Sequence, residues 1–427
     1  MNRTLYFIRP HAPLVFRSGR PFGDVQAADG NQDSAGPAFP LPSSTAGALR
    51  AAWVDGANHA VTANDQTLLH LQVHGGLQAL RYAGNPELQA FAPVPADCRL
   101  TEPLKNGMWS QQALCPQPLP PGTLCSLPHG LWPVRQRAAQ AESPPPDAWN
   151  FRRLQQWLLN EAPGELDKQN STPALQRDLR EHVVINPQTL SHQPGGYFQT
   201  EGLSFQHQQA EQGVVAWLQG PQTDAAHGRV SRYGADGRAA SFEALPEASA
   251  PWLQADEALA EALDALQPGD WFRLLLVTPA CYARNGWYPD AMRPVDAADS
   301  GSFIEGPLVP FLPPAPKPPK PGRPQLQQPP ASAAHWRFRL RAVALPGWQP
   351  LAASNGRNDK GLARFERRSL HRLVPAGTVY WIEILQRGAL PLSHLWLQPT
   401  CRTEFARDGF GLALPGLAST DHLQQTN

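Results

Sequence analysis

Leu14 to Gly23 reads L-V-F-R-S-G-R-P-F-G, and Phe39 to Val54 reads F-P-L-P-S-S-T-A-G-A-L-R-A-A-W-V. An apolar run ends in an arginine–glycine turn, Arg17-Ser18-Gly19-Arg20-Pro21. A polar loop follows, and then a helix start. Ser43, Ser44 and Thr45 are good N-cap residues after Pro42, and the spacing predicts a helix over 46–54, stopped by Asp55-Gly56. A helix N-terminus offers unpaired N–H groups and partial positive charge to an anion. Arg17 and Arg20 can fork onto phosphate oxygens. An ordinary turn before an ordinary capped helix is the competing reading.

Outward from this stretch, Thr4–Ile8 and Pro13–Phe16 read as strand. Leu68–Val73 reads as a strand ended by His74-Gly75-Gly76. Trp149–Leu159 reads as a short helix. Val183–Ile185 and Tyr197–Phe205 form a predicted hairpin whose polar tip includes Pro194-Gly195-Gly196. Val214–Leu218 is a further strand, and a helix follows with Leu259, Leu263 and Leu266 inward. Trp271–Thr278 is a nearly continuous apolar run, as in a central strand. Strand, helix, strand pair, helix, strand is the β-α-β-β-α-β order of a ferredoxin-like fold. An α+β class is expected.

The chain has 427 residues, enough for two or three domains, with 41% hydrophobic and 17% charged residues and a formal net charge of zero. Bulk electrostatics therefore do not drive nucleic-acid binding; a basic site must be local. Five scattered cysteines without a C-x-x-C pair indicate neither a disulfide framework nor a zinc site. The opening M-N-R-T-L-Y-F-I reads as a strand, not a signal peptide, and no apolar run reaches membrane-spanning length. A soluble cytoplasmic protein is expected, with neither metal nor cofactor.

Two segments carry further charge or glycine. Trp336 to Arg341 alternates strictly, with Arg337, Arg339 and Arg341 on one face about 6.6 Å apart. That face suits an RNA backbone, bulk solvent or an acidic partner. Residues 407–416, R-D-G-F-G-L-A-L-P-G, form a glycine-rich loop whose amides can point at phosphate, or which simply bends. Residues 306–334 are Pro-rich and read as an extended loop or a docking ligand. Residues 106–146 are irregular and rich in Pro and Gln. There is no G-K-S/T loop, H-E-x-x-H or G-x-S-x-G motif. His11 and His182 lie nearest the candidate RNA surfaces, but catalysis requires a positioned partner.

F-R-S-G-R-P-F, F-P-L-P-S-S-T-A-G-A-L-R, F-A-P-V-P-A-D, L-V-T-P-A…G-W-Y-P, V-P-A-G-T-V-Y-W and D-G-F-G-L-A-L-P-G occur in this order between Tyr6 and Gly416. In this the chain resembles the third-subunit family of the CRISPR type III-B (Cmr) RNA-guided effector, in the RAMP superfamily. The resemblance implies two ferredoxin-like (RRM-like) domains. The first would cover 1–280, with insertions and a thumb-like hairpin around Gln188–Tyr197. The second would cover 281–427, with 306–334 as an insertion. It implies a non-catalytic subunit that holds the 5′ tag of the guide crRNA and docks on the large polymerase/cyclase-type subunit and the RAMP backbone subunits. Target RNA would be met only indirectly. The alternative is a metal-independent RNA endonuclease that processes guide precursors. Carried onto this chain, tag contacts fall on Arg17, Ser18, Gly19, Arg20, Ser43, Ser44, Thr45, Arg50, Asp408, Gly409 and Gly411. Read from the residues themselves, Phe22 and Phe410 are stacking or core aromatics, and Arg337 and Arg339 of the alternating stripe are further candidate RNA contacts. The family turn usually reads F-R-D-G; Ser18 in place of the acid leaves it more positive.

Overall fold

The computed structural model describes residues 2–16, 37–62, 65–103, 109–120, 122–123, 125–134, 148–161, 171–172, 175–283, 286–297, 301–311, 335–355, 366–401 and 404–418. The chain is α+β and dominated by strands. Eight strands form the first sheet, in the order β12 (Arg229–Arg232), β13 (Ala239–Leu245), β1 (Asn2–Pro10), β11 (Ala210–Gly220), β3 (Gln72–Tyr82), β4 (Gln89–Pro93), β7 (Ala148–Asn150) and β8 (Ser171–Thr172). Seven form the second: β15 (Arg293–Ala297), β16 (Gly301–Gly306), β17 (Arg337–Ala344), β20 (Val379–Gln386), β14 (Trp271–Leu276), β22 (Leu412–Leu417) and β21 (Gln398–Pro399). All neighbours are antiparallel. Smaller sheets pair β2 (Leu14–Val15) with β10 (His192–Ser204) and β9 (Gln176–Ile185), β5 (Cys98–Pro103) with β6 (Trp109–Ala113), and β18 (Gln349–Asn355) with β19 (Glu366–Leu373).

Within each large sheet four strands, numbered along the chain, stand in the spatial order 4-1-3-2: β13-β1-β11-β3 and β22-β14-β20-β17. In the first set, helix α1 (Pro42–Gly56) makes the crossover from β1 to β3. Alternation along β1 decides what it covers. Tyr6 and Ile8 pack with Ala46, Leu49 and Trp53 of the helix, while Leu5 and Phe7 point the other way. That second face shares one apolar cluster with Phe272 and Leu274 of β14 and with Trp157 of α3 (Phe151–Leu158). One core therefore joins the two sheets.

Several expectations are corrected. The strand Trp271–Leu276 belongs to the second sheet, so the change of sheet falls between Leu245 and Trp271, ahead of 280. A strand buried along its whole length carries no alternation to show which sheet it enters. Helix α4 (Glu257–Asp264) consequently links the two sheets, and turns with β12 stand where a second crossover helix was expected. Leu68 lies in a short helix, α2 (Gln66–His70), because Asp65 Oδ1 accepts the Thr67 and Leu68 amides. Gly75 and Gly76 do not end a strand; they form a bulge inside β3, both at positive φ. The β9–β10 hairpin turns at Asn186–Ser191, and Pro194-Gly195-Gly196 lie within β10 where its register breaks. Among the described residues, no helix is long and apolar enough to cross a membrane.

The junction between the sheets carries a buried ion pair. Arg273 on β14 donates to Asp97 (2.7 Å), to the Trp157 and Leu417 carbonyls (2.6 and 2.8 Å) and to Asn160 Oδ1 (2.8 Å). Asp97 also accepts the Trp157 indole N–H at 2.9 Å. The Arg273 and Asp97 side chains are only 4% and 1% exposed. Removing one partner strands the other charge in a dry core. Asp97→Ala is expected to cost about 3–5 kcal/mol in urea denaturation; a loss under about 1 kcal/mol would contradict this role.

Candidate nucleic-acid interface

Helix α1 starts earlier than the cap residues suggested. Leu41 is the N-cap, with an extended backbone and no side-chain cap bond, and Pro42 stands in the first turn. Ser43, Ser44 and Thr45 are therefore first-turn residues. The Leu41 carbonyl accepts the amides of Ser44 (2.9 Å) and Thr45 (3.2 Å). Ser43 and Ser44 are half-buried, whereas Thr45 is buried and its hydroxyl shares a 2.7 Å hydrogen bond with Tyr233 OH. Burial pushes the Tyr233 phenol well above its ordinary pKa. Phe16 lies edge-on to the Tyr233 ring at 5.7 Å. Gly76 fits here because a Cβ would stand 3.1 Å from Thr45 Oγ1. Arg17, Ser18, Gly19, Arg20 and Phe22 follow Phe16 in sequence and lie outside the described residues.

Arg50, one face further along α1, is committed to the protein. It donates to Asp408 Oδ1 (2.6 Å), to the Leu71 carbonyl (2.9 and 3.2 Å) and to the Arg407 carbonyl (3.0 Å). Two residues expected to hold RNA, Arg50 and Asp408, thus neutralise each other. The glycine-rich loop is equally committed. The amides of Asp408, Gly409, Phe410 and Gly411 donate to the carbonyls of Phe405, Ala406, Phe405 and Pro279. Thr278 Oγ1 donates to the Gly409 carbonyl at 2.8 Å and accepts from the Leu412 amide at 2.9 Å. Gly409 and Gly411 have positive φ, and a Cβ on Gly411 would fall 2.6 Å from Cys401 Sγ. Phe410 is fully buried against Phe405. The loop is a tight bend that feeds β22 into the core, not an open cradle of amides.

The arginine stripe on β17 also meets protein. Arg337 and Arg339 both reach Glu305 on β16, at 3.0 and 2.6 Å, and Arg341 reaches Glu383 on β20 at 2.8 Å. Arg339 further lies over the Phe303 ring. Of the readings open for this face, the acidic neighbour is the one realised, and it comes from adjacent strands. His182 Nε2 lies 2.8 Å from Thr200 Oγ1, and His11 is exposed. Among the described residues, no three His, Cys, Asp or Glu side chains stand close enough to hold a metal.

The residues that sequence reasoning passed over are Arg229, Arg232 and Arg238, in R-V-S-R-Y-G-A-D-G-R. They flank the β12–β13 turn at the edge of the first sheet. That turn rests on Val15, whose carbonyl accepts the Ala235 amide at 2.8 Å. The cluster of Arg beside a G-A-D-G turn was the signal available.

A family model described as "CRISPR-associated protein (Cas_Cmr3)" matches residues 6–418. No curated protein matches the chain. Among solved structures, the chain is similar to one in the cryo-EM structure of the Type III-B Cmr-beta bound to cognate target RNA. Identity is 13%, with 89% of this chain and 86% of that chain covered and a TM-score of 0.40. A second similar chain is in the complex with cognate target RNA and AMPPnP, state 1. Identity there is 14%, with 88% and 86% covered and a TM-score of 0.41.

His74, directly before the Gly75-Gly76 bulge, stacks on Trp217 at 5.7 Å, and its Nδ1 is buried without a partner. Burial pushes its pKa down from 6.5 to about 4; the charges of Arg3 and Arg50 add to this, while a Gln219 hydrogen bond opposes it. Below pH 6.5 the unfolded chain takes up a proton that the native ring refuses. This contribution is complete above pH 6.5 and is lost as the pH falls toward 4, amounting to about 3 kcal/mol. In denaturant titrations across this range, His74→Phe should flatten that acid limb; an acid limb as steep as that of the wild type would contradict the assignment.

Proposed function

The chain belongs to the CRISPR-associated Cas_Cmr3 family, and we propose that, within a type III-B effector, it is a non-catalytic subunit that grips the 5′ tag of the guide crRNA. In this reading it bridges the large polymerase/cyclase-type subunit to the RAMP backbone subunits, meets target RNA only indirectly and works in the cytoplasm without a cofactor. The two 4-1-3-2 strand sets are read as a pair of ferredoxin-like RAMP units, with turns in place of some helices. The β9–β10 hairpin is read as the thumb.

One observation carries the tag-binding assignment. Phe16 is seated on Tyr233, and Tyr233 is bonded to Thr45 in the first turn of α1. Phe16, the residue that precedes Arg17 in sequence, therefore stands beside a helix N-terminus. Backbone phosphates suit such a place, because guanidinium forks and helix amides both favour anions. Tag bases would then be free to stack or pair.

The test is filter binding of tag RNA by the full chain. Arg17→Glu with Arg20→Glu should weaken binding at least about tenfold, since hydrogen bonds to charged groups are each worth about 1.5–3 kcal/mol. The salt slope should shrink by about 0.7 per lost phosphate contact. Unchanged affinity and slope would refute the turn as a tag contact.

A further inference from the structure

We propose that the β12–β13 hairpin is a second phosphate-binding site for the guide strand, formed by Arg229, Arg232 and Arg238; the proposal rests on the guide-binding reading above. The argument begins with how this chain treats its other cations. Several exposed arginines elsewhere sit on carboxylates, as Arg9 does on Glu211, Arg177 on Glu201 and Arg180 on Asp178. Among the arginines with described side chains, Arg229, Arg232 and Arg238 make neither an ion pair nor a side-chain hydrogen bond within the protein. Arg229 and Arg232 are exposed; Arg238 is half-buried, and its Nε is enclosed without an acceptor. Three arginines without a protein partner are thus gathered on a single hairpin, in a chain whose formal net charge is zero.

The hairpin's construction holds them in place. The Tyr233 amide donates to the Arg238 carbonyl at 2.8 Å, so Tyr233 and Arg238 face each other across the turn. Gly234, Asp236 and Gly237 take positive φ and close it. Alternation along β12 puts Arg229 on the same side as the buried Tyr233, and therefore as Arg238. Arg232 points to the opposite side. The three cations straddle a sheet edge, with the Arg229 and Arg232 Cα atoms about 10 Å apart by strand rise. The only acid in the turn is Asp236.

Position supplies the link to RNA. Gly234 packs against the Val15 carbonyl, where a Cβ would stand 2.9 Å away, and Phe16 meets Tyr233. Tyr233 in turn holds Thr45. The open arginines, the last described residue before the Arg17–Arg20 turn and the first turn of α1 thus share one corner of the molecule. A phosphodiester backbone crossing that corner satisfies donors that no described side chain or carbonyl satisfies. The competing role is a charged edge that deters sheet-to-sheet pairing.

The experiment measures binding of tag RNA by the full chain from about 50 to 200 mM salt. Arg229→Gln with Arg232→Gln, both at exposed positions, should reduce the slope of log K against log salt by about 1.4; adding Arg238→Gln should take the loss to about 2. Arg9→Gln, which removes an exposed but paired arginine, should leave the slope at its wild-type value, and melting curves should confirm that every variant is folded. If the wild type binds and both hairpin variants keep its slope and affinity, the site is refuted while the guide-binding reading stands, and the arginines act only as edge guards. If the wild type does not bind the tag, the guide-binding reading fails and this site fails with it.

Discussion

Arg273 and Asp97 are charges that the fold must pair, and the rest of the architecture depends on how it does so. Arg273 belongs to β14, an inner strand of the second sheet, and Asp97 to the segment that leaves β4 of the first. A guanidinium with four acceptors, in a dry junction, tolerates little displacement. Its bonds to Trp157 and Asn160 fix the end of α3, and its bond to Leu417 fixes the last strand. With β22 held there, the turn before it reaches the first sheet, where Gly409 packs on Val73 and Gly75 and Asp408 meets Arg50. Helix α1 is thereby tied at its middle, which leaves its first turn standing beside Phe16 and Tyr233.

Charge is handled in the same way throughout. The formal net charge is zero, so any attraction for a polyanion has to come from cations without local partners. The structure separates the two kinds. Arg50, Arg337, Arg339 and Arg341 hold the protein together through Asp408, Glu305 and Glu383. The hairpin arginines do not, and they lie at an edge, where a flexible strand has access from both faces.

Much of the fold was legible because its elements are short and strongly patterned. Alternation in W-R-F-R-L-R placed β17, the apolar run from Trp271 placed β14, and the spacing over 46–54 placed the body of α1, though not its start at Pro42. Which sheet β14 joins was not legible, since a fully apolar strand shows no face. The glycine pair at 75–76 looked like a strand end because a bulge and a terminus use the same residue. The site was less legible than the fold. An arginine with a partner and one without read alike in a sequence, and the acids that neutralise Arg50, Arg337 and Arg339 come from distant strands or loops. Glycine content likewise says that a loop can bend, not whether its amides are already bonded. Only the assembled fold shows that 408–411 is closed and that 229–238 is open.

The central claim is that one corner of this molecule, where the β12–β13 turn, Phe16 and the start of α1 meet, grips the end of a guide RNA. The most direct measurement is photocrosslinking of the assembled effector, using guide RNA with photoreactive uridines in its 5′ tag, followed by peptide mapping. The account predicts crosslinks in this chain within 229–238 and in the segments that flank Phe16 and Ser43. Crosslinks confined to other subunits, with this chain unlabelled, would contradict it.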